Sequence, residues 1–167
     1  MFQLKRLSRA GIPSAMAKAE RYRLLNEPWA AESICLDVLE AEPENQEALV
    51  LLLLSLTDQF DTALAVGVAR ARAVLQRLGD EYKRTYYAGV ICERRAKAHL
   101  TQGAPGAESV AYQWFREAMG WYEKAEAIQP AGNDEAILRW NTCARILIQN
   151  PDIAPRPVDS FEPALGE

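Results

Sequence analysis

The segments AESICLDVLEAEP at 31–43 and AMGWYEKAEAIQP at 118–130 carry one pattern twice. Ala31, Cys35, Val38 and Pro43 follow one another at steps of 4, 3 and 5 residues, and Ala118, Tyr122, Ala125 and Pro130 repeat those steps. Steps of four and three place side chains on one face of an α-helix. A small residue on that face lets an antiparallel neighbour approach closely, and the bulkier one fills the space beside it. The proline cannot continue the helix, so it turns the chain into the next hairpin.

Outward from these two segments, strand signals are scarce and the helical period dominates. Seven helices follow from their stops. The first starts at Pro13 and ends near Asn26, and the second runs from Pro28 to about Ala41, closed by Pro43. The third covers roughly Asn45 to Asp58 and the fourth Asp61 to Leu78, ended by Gly79. The fifth reaches from Asp80 to about Gln102, where GAPGAES breaks it. The sixth spans about Glu108 to Ile128, and the seventh runs from after Asn133 to near Gln149, before Pro151. The connections are short, so the expected fold is all-α with consecutive helices packed as antiparallel neighbours.

Ala19 and Tyr22 on the first helix face the crossing at Ala31, and 34 residues on from Tyr22 and Ala31 stand Leu56 and Ala65. This spacing resembles the tetratricopeptide repeat, a 34-residue helix–turn–helix unit with an alanine, a large residue and a closing proline in its second helix. The resemblance covers about residues 12–149 and implies a short right-handed solenoid. Its units would be 12–45, 46–79 and 80–132, followed by a cap helix at 133–149. In the second unit a stripe of Leu64, Val68, Ala71, Leu75 and Leu78 stands in place of the closing proline. The third is stretched, with Gly89 at the glycine place. Trp140 occupies a place that normally needs a small residue, as suits a terminal cap. Residues 1–11 form an N-terminal extension.

The resemblance also implies a concave groove lined by the first helix of each unit, in which a peptide or partner helix lies. Its expected lining is Met16, Glu20 and Arg23, then Val50, Leu51 and Leu54, then Tyr86, Tyr87, Val90 and Arg94. Ile137, Asn141 and Arg145 would follow from the cap helix. The carboxylate clamp of the chaperone-binding branch is rejected, because its lysine and asparagine places carry Met16, Glu20 and Leu51. What is left is an apolar groove with Tyr and Arg as anchors, suited to an amphipathic helix or extended apolar segment. Leu51 and Leu54 read equally as core, while for Tyr86 and Tyr87 the groove reading comes before the core one. Trp114 and Trp121 read as core and cap packing or as exposed aromatics.

The remaining features narrow the function class. Hydrophobic residues at 49% and charged residues at 25% are ordinary for a globular domain, and 167 residues suffice for a core without staples. The net charge of -4 argues against a general nucleic-acid binder. The first third is acidic and the middle basic through residues such as Arg70, Arg72, Arg77 and Arg84. These charges read as solvated helix faces or as a patch for an acidic partner segment. Cys35, Cys92 and Cys143 are far apart and His99 is the only histidine, which supports neither a zinc site nor a disulfide framework. No nucleophile–base pair, metal spacing or phosphate loop stands out, and Glu93–Arg94 and Glu123–Lys124 read as helix-surface charges.

ALVLLLLSL at 48–56 is too short to span a bilayer, and the N-terminus lacks an apolar signal core. A cytoplasmic protein without cofactor is therefore expected. The Pro-rich residues 150–167 read as an extended tail, in which Val158, Phe161 and Leu165 could fold back into the groove. The expected function is a non-catalytic adaptor or scaffold that binds another protein. Homo-oligomeric assembly is the alternative, and helical-repeat RNA binding is the least favoured reading.

Overall fold

The computed structural model describes residues 1–157; Val158, Phe161 and Leu165 lie outside the described residues. Among the described residues there are seven α-helices and no strand. They are α1 (Ile12–Leu24), α2 (Pro28–Ala41), α3 (Gln46–Thr57), α4 (Leu64–Leu75), α5 (Glu81–Gln102), α6 (Ala107–Ala127) and α7 (Glu135–Gln149). A 3-10 turn at Arg9–Gly11 precedes them. No described helix is long and apolar enough to cross a membrane.

Local chemistry sets most boundaries. Pro28 opens α2, where its missing N–H would have had no partner. The Asn45 and Asp80 side chains accept hydrogen bonds from the N–H groups of Ala48 and Lys83, at 2.9 and 2.7 Å, and start α3 and α5. Gly103 ends α5 in the left-handed conformation (φ 64°), which its lack of a Cβ makes cheap. The helix expected over 61–78 is shorter, because residues 58–62 form turns and Ala63 precedes its first residue.

Each helix packs on the next, and α1 also touches α3, as α3 touches α5. The buried residues form two cores. The first joins α1 to α4 through Ala19, Ala31, Leu49, Leu53, Ala71 and their neighbours. The second joins α5, α6 and α7 around Phe115, Tyr122 and Cys143. Helix α5 belongs to both, giving Ala88, Ile91 and Ala98 to the first and Tyr86, Val90 and Ala96 to the second. It packs broadly on α6 and lightly on α4.

Ala31, Cys35, Val38, Ala118, Tyr122 and Ala125 are all fully buried, as the paired segments predict. The 34-residue step fails in the second hairpin: Ala65 is exposed, and the buried stripe of α4 runs through Val68, Ala71, Val74 and Leu75. The turns after α3 delay α4 and rotate Ala65 outward. Beyond α7 the chain continues to pack, since Ile153 is buried in the second core.

Candidate functional site

Helix α3 is apolar over nearly its whole surface, and its two sides have different neighbours. Ala48, Leu49, Leu52, Leu53 and Leu56 are buried. Val50, Leu51 and Leu54 form a half-buried stripe beside them. Ser55 and Thr57 are buried too, but their hydroxyls donate to the carbonyls of Leu51 and Leu54, so no polar group is stranded.

The half-buried stripe is the floor of a groove of about 860 Å³ between α1, α3 and the start of α5. Met16, Glu20 and Arg23 line it from α1, Val50, Leu51 and Leu54 from α3, and Tyr87 from α5. All seven belong to the expected lining. Arg9, Arg23 and Lys83 face it with Glu20, Glu42 and Glu47, so its rim carries both signs of charge. Burial pushes the Tyr87 phenol up to about 12, with Tyr86 adding to the rise, so its hydroxyl stays a neutral donor.

Asp58, just past α3, holds the groove-lining Arg23. Arg23 Nε donates to its Oδ2 at 2.6 Å, and Arg94 Nη1 lies 3.2 Å from its Oδ1. One carboxylate thus ties α1 to α5 across the end of α3. Arg94 was expected to be available to a partner and is instead held in this bridge.

The rest of the expected lining lies elsewhere. Val90 is fully buried and Tyr86 nearly so, because α6 and α7 close over the middle of α5. Tyr86 stacks on Tyr82 at 5.9 Å and meets the ring of Tyr87 edge-on at 5.0 Å, which makes it a wall behind the groove. Ile137, Asn141 and Arg145 are on α7, outside the groove lining.

Glu93 is the largest departure from the sequence reading. It is fully buried rather than a surface charge. Tyr122 Oη donates to its Oε2 at 2.7 Å, and Lys97 Nζ and Arg139 Nη1 reach Oε1 at 2.5 and 3.2 Å. Burial by itself would raise its pKa; Lys97, Arg139 and the two hydrogen bonds outweigh that and hold the carboxyl below its ordinary range. The carboxylate bolts α5, α6 and α7 together. Sequence spacing offered one signal for it, Lys97 four residues on, but that signal also fits an exposed pair.

No family model, curated protein or solved structure matches this chain.

A second groove, of about 790 Å³, lies over another face of α5, between α4 and α6. Trp114 and Trp121 line it and are half-buried. Elsewhere among the described residues, no three or more His, Cys, Asp and Glu side chains gather as a metal site would require.

Proposed function

We propose that this chain is a non-catalytic, tetratricopeptide-type adaptor that holds an amphipathic helix of another protein in the α1–α3–α5 groove. The observation that carries this reading is the convergence of Met16, Glu20, Arg23, Val50, Leu51, Leu54 and Tyr87 on one groove. Those positions follow from the repeat register alone. An apolar floor with mixed charge at the rim suits a helix whose apolar face enters the groove while its flanks meet Arg9, Lys83, Glu42 and Glu47. The buried free thiols fit a reducing compartment, so the cytoplasm goes with this reading.

The test is affinity capture from native extract, with wild type beside a Leu54→Arg, Tyr87→Ala variant whose melting curve shows it folded. A partner held by wild type and lost by the variant, then bound directly when purified, supports the reading. Identical captures sink it.

Self-assembly is the second reading, and one observation favours it. Leu24, Leu25 and Trp29 are 78%, 63% and 61% exposed at the α1–α2 turn, and Leu24 also lines the groove. Three exposed apolar side chains on one turn suit contact with a second copy. Mass in solution that rises with concentration, and falls back to monomer in Leu24→Asp, would favour it over the adaptor.

A further inference from the structure

The second groove differs from the first in its charge. Arg72 enters from α4 and Arg84 from α5, while Glu117 is the one lining carboxylate among the described residues. Leu75, Ile91, Trp114 and Trp121 supply apolar and aromatic surface between them. Arg95 stands at its edge, with its guanidinium carbon 3.8 Å from the centre of the Trp114 ring.

These cations have few internal partners. Arg84 donates to the Leu78 carbonyl at 2.6 Å and makes no salt bridge among the described residues. Arg72 and Arg95 make no salt bridge among the described residues, and Arg95 Nε is buried without a hydrogen-bond partner. Burial, and then the neighbouring Arg72, lower the pKa of Arg95, as expected where like charges gather. His99 beside it is likewise lowered by burial and by Arg95, and its Nε2 also lacks a partner among the described residues.

We propose that the α4–α6 groove is a second docking surface, for an acidic peptide segment that carries aromatic or leucine side chains. Charge complementarity is the argument: carboxylates answer Arg72, Arg84 and Arg95, and an apolar side chain enters between Trp114 and Trp121. The light packing of α4 on α5 leaves the seam open to a bound segment. A peptide fits better than RNA, because two lining cations, with Arg95 over the Trp114 ring beside them and Glu117 among them, give few phosphate contacts. This surface is separate from the α1–α3–α5 groove and does not depend on it.

The test is calorimetric titration of the full chain with a synthetic peptide in which Asp and Glu flank a central Phe and Leu. A counterpart with Lys in place of every acid and an oligouridylate of similar length are the comparison probes. Arg72 is exposed, so Arg72→Glu leaves the fold intact. The acidic peptide is expected to bind wild type and Arg72→Lys alike. Its affinity should fall at least about tenfold in Arg72→Glu and weaken as salt rises. It should be unchanged in Leu54→Arg. Equal affinity for wild type and Arg72→Glu, preference for the Lys peptide or the oligouridylate, or no binding of the acidic peptide would each overturn the proposal.

Discussion

Gly89 on α5 faces the ring of Tyr122 on α6 so closely that a Cβ at position 89 would stand 2.6 Å from Cε1. Tyr122 cannot retreat, since it is fully buried and its hydroxyl is held by Glu93. Glycine inside a helix weakens it by about 0.5–1 kcal/mol relative to alanine. Its presence here reflects the close crossing.

Gly89→Ala is therefore expected to destabilise the protein despite its better helix propensity. Overpacking costs roughly 1–3 kcal/mol, which outweighs the propensity gain. Urea unfolding would read this as a lowered midpoint. A raised midpoint would mean that α5 and α6 separate without penalty.

The paired alanines and Ala65 make a sharp contrast. Ala31→Trp and Ala118→Trp should each cost about 1–3 kcal/mol, because both sites are fully enclosed. Ala65→Trp lies on the surface and should stay within about 0.5 kcal/mol of wild type. Thermal melts of the three variants check this directly. Equal destabilisation at all three would restore the 34-residue register in the second hairpin.

Acid should expose the role of Glu93. Its folded-state pKa lies below the ordinary value, so its contribution is complete above the unfolded pKa and is lost as pH falls through the folded one. Glu93→Gln keeps the shape but leaves Lys97 and Arg139 without their carboxylate, at a cost of about 1–3 kcal/mol near neutral pH. The gap between wild type and variant should narrow as pH falls below about 4. Stability profiles that stay parallel down to acid pH would show that Glu93 is not the group responsible.

The three thiols should be inert in the folded protein. Burial, with a smaller addition from Glu32, pushes Cys35 up to about 12; burial, then Glu93, does the same for Cys143. Cys92 rises to about 11, again chiefly through burial. Since the thiolate is the nucleophile, a disulfide reagent at mildly alkaline pH should react slowly with the native chain and quickly in urea. Fast reaction of one thiol without denaturant would place it in an opening segment.

The sequence by itself determined the all-α class, the seven helices and most of their ends. These depend on neighbours in the chain: steps of three and four, prolines at 28, 43 and 130, and the caps at Asn45 and Asp80. It also marked Ala31, Ala118 and Tyr122 as packing residues, because a close crossing demands small and large side chains at set steps. Only the tertiary structure decided which faces are covered. Tyr87 and Val90 lie nearly one helical turn apart on α5, yet one lines a groove and the other is sealed beneath α6 and α7. Glu93 and Arg94 are adjacent, yet one anchors the interior of the second core and the other bridges to Asp58 just past α3. Burial depends on elements tens of residues away, and periodicity, which records only the angle around a helix, carries no information about what packs there.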